Sequence, residues 1–166
     1  MGILAKLFGP ADPTRAWPAA IEGVLPEVNF TTRTFGSLHF EDGLDAASFL
    51  GRPDQIKITK YCQDLYYHRQ GFQLAFEGGR FVEVQFHLLP EAGSRFKPCQ
   101  PRAPGGVVLT PETSKQDLAT VWGPPQETND YGTYEIVQWL YGQFVSEFEY
   151  ETASGKLAGW TVYLDE

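Results

Sequence analysis

The chain is poor in the residues that most often declare a chemistry. It has two cysteines, Cys62 and Cys99, in 166 residues. They form no CxxC pair and suggest no disulfide framework, so two free thiols in a reducing compartment are expected. The three histidines, His39, His68 and His87, have neither HxH nor HxxxH spacing, so no metal site is expected. A Cys62–His68 pair across a strand start defines no catalytic geometry. Nucleophile-elbow, phosphate-loop and dinucleotide-binding fingerprints are absent, so neither an enzymatic activity nor a cofactor is expected. No apolar run approaches the ~20 residues that span a bilayer. Residues 1–10 are mildly amphipathic, are interrupted by Lys6 and end in Gly9-Pro10. That is not a secretory core, and Lys6 stands where a myristoylation motif wants Ser or Thr. The expectation is a cytoplasmic protein with a short N-terminal helix or docking arm.

Basic residues are also scarce. Thirteen Lys and Arg face 21 Asp and Glu, a net charge of −8. Nonspecific nucleic-acid binding needs clustered cations and is excluded as a leading role. An anionic membrane surface would repel the chain. A basic protein partner would be steered toward it, although an acidic surface also serves plain solubility.

Apolar residues make up 42% and charged residues 20%, which excludes disorder. At 18.6 kDa the chain can build a core without staples. Its 17 Gly and 12 Pro predict many turns and short elements.

Self-similarity organises the chain. Residues 42–54 match residues 114–126: Asp45 falls on Asp117, Ala47 on Ala119, Gly51 on Gly123 and Pro53 on Pro125. The same offset carries Tyr67 onto Trp139, Phe72 onto Phe144 and Phe76 onto Phe148. After an insertion in a turn, Phe81, Val84, Phe86 and Leu88 fall on Leu157, Trp160, Val162 and Leu164. Each copy opens on an N-cap, Asp42 or Ser114, with an acidic residue at N3. Each helix then stops at a C′ glycine followed by proline. Alternating residues predict strands at 65–68, 72–77 and 81–88, and again at 136–141, 144–151 and 157–164. Short strands are expected at 37–40 and 107–110. The expected organisation is an N-terminal arm (1–35), repeat 1 (36–89), a Pro-rich linker (90–105) and repeat 2 (106–166). The two repeats would share one compact domain. The expected fold class is α+β: a tandem repeat of helix plus three-stranded antiparallel meander, helices on one sheet face and the other face open.

Parity assigns the faces. Leu65, Tyr67, Phe72, Leu74, Phe76, Val82, Val84, Phe86 and Leu88, with their second-copy counterparts, make an apolar face. The opposite face offers Tyr66, His68, Glu77, Phe81, Glu83 and Gln85 from the first copy. The second adds Gln138, Glu147, Glu149 and Tyr163. Carboxylates and amides interleaved with aromatics suit a protein-binding surface; an ordinary solvated sheet face would look the same.

The helix ending in residues 50–54 or 122–126, followed by aromatic-rich hairpins, resembles the β-lactamase-inhibitor-protein fold. A single copy resembles the outer-membrane assembly lipoprotein E family. Residues 36–88 and 106–164 carry that resemblance. It implies a binding scaffold with one sheet face open to another protein. The leading expectation is a non-enzymatic protein-binding module, in its most concrete form an immunity or inhibitor protein that occludes a basic toxin or enzyme. Tyr66, Phe81 and Tyr163 would be its anchors. The alternatives are an assembly adaptor docking through residues 1–35, and a small enzyme or small-molecule binder in the cleft between the repeats. The sequence does not fix an oligomeric state.

Overall fold

The computed structural model describes residues 11–23, 25–90 and 92–165. The helix expected within residues 1–10 lies outside the described residues.

Alternation of buried and open residues along the central strands builds one large antiparallel sheet. Its first four strands are β4 (Gln55–Ile58), β5 (Cys62–Tyr67), β6 (Phe72–Glu77) and β7 (Arg80–His87). Its last four are β10 (Glu127–Asp130), β11 (Tyr134–Tyr141), β12 (Phe144–Glu151) and β13 (Leu157–Leu164). The spatial order is β10-β11-β12-β13-β7-β6-β5-β4. Strands β1 (Val28–Asn29), β2 (Thr34–Phe35) and β3 (Leu38–His39) form a small separate sheet. Strands β8 (Arg102–Ala103) and β9 (Val107–Val108) form a two-stranded ribbon.

The expected α+β architecture is corrected by this order. The strands form one eight-stranded antiparallel sheet, not two helix-plus-three-strand units with helices layered on them. Helix is sparse among the described residues: a seven-residue 3₁₀ helix, Leu44–Leu50, and the eight-residue α1, Lys115–Trp122. Elements that short cannot cover an eight-stranded face. Much of the cover comes instead from residues 28–40, which bury Val28, Phe30, Phe35, Leu38 and Phe40. Phe40 stacks on Phe81 at 4.4 Å and Phe35 meets Phe72 edge-on at 5.3 Å. Val28, Phe30 and Phe35 fall in the stretch read from the sequence as an arm, and they are core residues.

The sheet order reads alike from either edge. Each half is a four-stranded meander, and the halves meet where β7 pairs with β13. There Gln85 faces Thr161, Phe86 faces Trp160 and Val84 faces Val162. Matched residues do matched work. Tyr67 Oη donates to the Gly51 carbonyl at 2.9 Å, and Trp139 Nε1 donates to the Gly123 carbonyl at 2.9 Å. Both glycines sit near φ +78° and end their helices.

Each half also carries one β-bulge. In the first, Ala75 faces Glu83 while Phe76 faces Phe81, leaving Val82 as the extra residue. In the second, Glu149 faces Gly159 while Tyr150 faces Leu157, leaving Ala158. A bulge reverses the parity of what lies beyond it. Phe81, expected on the open face, is therefore fully buried, and Val82 turns outward instead.

Candidate functional site: the open sheet face

One face of the sheet carries the apolar cover. On the other, the register lines up Gln55, Tyr66, Gln73, Gln85, Thr161, Glu147, Gln138 and Glu127, one from each strand. Six of them carry a carboxyl or amide side chain, which is why this face did not join a core. The amides tie neighbouring strands. Gln73 Nε2 donates to Gln85 Oε1 at 2.8 Å, and Gln138 Nε2 donates to Glu147 Oε1 at 2.6 Å. Tyr163 Oη donates to the same Glu147 oxygen at 2.8 Å.

A groove of about 700 Å³ opens over the junction of the two halves. Glu41, Glu77, Glu83, Glu147 and Asp165 line it, and Arg80 is the one cation among the described lining residues. Val82, Leu164 and the Tyr163 ring supply its apolar surface. Glu83 is largely buried. Desolvation, followed by the nearby charges of Glu147, Asp64 and Glu77, pushes its carboxyl above the usual range. No side-chain hydrogen bond or ion pair compensates Glu83 among the described residues. Burial and the Glu147 carboxylate likewise raise the Tyr163 hydroxyl. Glu41 enters the groove from a strained backbone, φ +77°, with Arg33 at 3.0 Å and Arg80 at 3.8 Å from its carboxylate.

The other end of the face is partly covered. Phe96 lies over it, stacking on His87 at 3.7 Å and meeting His68 edge-on at 4.6 Å. Tyr66 lies at 6.2 Å from the same ring and donates to Asp64 at 3.4 Å. The nearest approach to metal chemistry is the His68–His87 pair, and no cluster of three or more His, Cys, Asp or Glu exists among the described residues.

The predicted site residues thus divide. Glu77, Glu83, Glu147 and Tyr163 converge on the groove. Gln85 and Gln138 flank it in the central row. Glu149 lies on the same face, one pair beyond Glu147, opposite Gly159. Tyr66 and His68 belong to the covered end, and Phe81 to the core.

No family model matches the chain, and no curated protein does. Three solved structures align with the chain. An extracellular protein containing a SCP domain from Bacillus anthracis aligns with a TM-score of 0.52 at 8% identity, over 89% of this chain and 50% of that one. A DUF4309 family protein from Bacillus subtilis aligns with a TM-score of 0.47 at 12% identity, over 73% and 76%. A cysteine-rich secretory protein from Staphylococcus aureus aligns with a TM-score of 0.45 at 9% identity, over 89% and 50%. The chain spans half the length of the first and third of these. None is described as β-lactamase-inhibitor-like or lipoprotein E-like. At such identities the likeness concerns fold alone.

Sequence reasoning missed Glu41, Arg80, Val82, Leu164 and Asp165 in the groove, and Phe96 over the histidines. A bulge hid Val82. Glu41 sits in a turn, and Phe96 in a proline-rich stretch without periodicity. Only the crowding of acidic residues near positions 77–83 and 147–151 pointed to this place.

Proposed function

We propose that the chain is a non-enzymatic protein-binding module whose open sheet face grips a basic partner. The observation that carries this reading is the groove, five carboxylates around one arginine with an apolar patch beneath. Such a surface suits the aliphatic stem and charged head of a partner's Lys or Arg. Glu83 is the central residue, a desolvated carboxylate awaiting a cation. The more specific form is an inhibitor or immunity protein that occludes a basic toxin or enzyme. Cys62 and Cys99 are both free thiols, which suits a partner met in the cytoplasm.

Among the described residues no helix is long and apolar enough to cross a membrane. The test is affinity capture from native lysate at low salt, with Glu83→Lys and Glu147→Lys run beside the wild type. One stoichiometric basic protein, lost at high salt and absent from both variants, is the expected result. Capture that ignores salt and both substitutions overturns the reading. The groove is also of ordinary small-ligand size, which favours a cationic small molecule as the second reading. Calorimetric titration with spermidine beside the capture separates the two: saturable binding with no protein captured favours the small molecule, and a captured basic protein favours the module.

A further inference from the structure

Gly71 sits between His68 and His87 at the covered end. The His87 N–H donates to the Gly71 carbonyl at 2.8 Å. A Cβ on Gly71 would lie 2.4 Å from the Lys97 carbonyl, so the gap exists for residues 97–99 to pass. Their amides close it: the Lys97 N–H donates to the His68 carbonyl at 2.8 Å and the Cys99 N–H to the His87 carbonyl at 3.0 Å. Phe96, just before them, covers both imidazoles. Two ring nitrogens beneath it, His68 Nδ1 and His87 Nε2, are buried without a hydrogen-bond partner among the described residues. Gln55 Oε1 lies 3.3 Å from His68 Nε2 and selects the tautomer that leaves Nδ1 unprotonated. Proton uptake at either orphan nitrogen would create a buried N–H⁺ with no acceptor.

We propose that residues 94–99 form an acid-released strap, lifted from the open face when His68 and His87 take up protons. Among the described residues, the charged groups acting on the pair do not offset that uptake. Arg95 and Lys97 ride on the strap itself. Asp54, on the β4 side, favours a charged His68, but it is already engaged by Arg69 at 2.7 Å. On the β13 side the row continues through Gly159 to Glu149, and among the described residues the residue paired opposite His87 is Gly159, which carries no charge. One imidazolium would gain a cation–π attraction to Phe96. Two imidazoliums beside Arg95, all around one ring, repel one another where little water screens them. Burial, and then the neighbouring His68, pull His87 from the ordinary 6.5 down to about 4. Burial lowers His68 as well. A depressed folded-state pKa means that the strap is held fully above the ordinary histidine range and loses its hold as pH falls toward the folded value.

Release would extend the exposed face to Tyr66 and His87. Its role in partner binding rests on the function proposed above, but the strap can be tested with no partner present. Amide exchange is followed by NMR at pH 7 and pH 4, each rate divided by its intrinsic value. Protection at Lys97 and Cys99 should fall by about ten-fold or more at pH 4, while Phe148 and Trp160 in the sheet keep theirs. The Cε1–H signals of His68 and His87 should titrate over the same pH range. The His68→Gln/His87→Gln double variant should lose the pH dependence; if it fails to fold, the wild-type histidine titration decides alone. Unchanged protection at pH 4, loss without histidine titration, or simultaneous loss at Phe148 and Trp160 overturns the proposal.

Discussion

Glycine is used here where another backbone needs its space, and Gly71 is the clearest case. At φ +82° it occupies a conformation costly for any side chain, and a Cβ would also meet the Cys99 side chain at 2.7 Å. Cys99 is buried, and its thiol donates to the Gly71 carbonyl at 3.1 Å. Gly78 and Gly79 share the positive φ but have open space around them. Gly71→Ala should therefore destabilise by at least about 2 kcal/mol, combining strain with a backbone clash. Gly79→Ala should cost only the strain, about 1 kcal/mol. Urea unfolding of both variants checks the difference; equal losses would mean that residues 97–99 yield freely. A sequence shows neither distance. Gly71 reads as a turn residue in either case, because the chain that needs its space lies 26 residues further on.

At the scale of elements, legibility followed hydrophobic contrast. Strands β6, β12 and β13 have the ends expected from alternation, because Phe72/Leu74/Phe76 and their kin alternate with polar residues. Strands β4 and β10 escaped. They are the sheet edges, exposed at alternate or most positions, and a sequence such as Glu-Thr-Asn-Asp carries no apolar signal. The repeat match also slipped. It set Phe72 on Phe144, whereas the pairings place Phe72 opposite Tyr67 and Ser146 opposite Trp139. The second hairpin is longer, and a slip of two residues leaves every side chain on its face, so periodicity alone could not detect it.

The helix caps were better signposted. Ser114 Oγ accepts from the Asp117 N–H at 3.1 Å, and Asp117 accepts from the Ser114 N–H at 2.8 Å. That reciprocal box is present in α1, but the first helix begins at Gly43 without a side-chain cap, and Asp42, expected as its N-cap, accepts from the His39 N–H instead. Ser114→Ala should cost about 1 kcal/mol. Asp45→Ala, which falls at N2 behind Gly43 and has no box, should cost no more than about 0.5 kcal/mol. Thermal unfolding monitored by circular dichroism measures both. A larger loss at Asp45 would show that the first helix has a cap of its own.

The whole molecule poses a question that its symmetry makes sharp: whether two matched halves unfold as two units or one. The junction answers it. Trp160 in β13 stacks on Phe86 in β7 at 4.9 Å, and its ring N–H donates to the buried Ser146 hydroxyl at 2.7 Å. Phe40 bridges as well, packing on Phe81 of one half and on Phe144 of the other at 4.9 Å. The buried residues of both halves form one continuous cluster. Neither meander could unfold alone without exposing the other's junction strand and a face of aromatic rings. Trp160→Phe removes the indole donor, leaves Ser146 Oγ buried and unpaired, and opens a cavity, for a loss of about 2–4 kcal/mol. That loss should appear equally in both halves. In a denaturant series read by NMR, the amides of Leu74 and Phe148 should disappear at one midpoint in the wild type. In the variant they should do so at one lower midpoint. Separate midpoints, with only Phe148 shifted, would show two folding units laid side by side. The acidic groove would then straddle a hinge; a single midpoint makes it part of one rigid surface, whose two walls hold their spacing when a partner arrives.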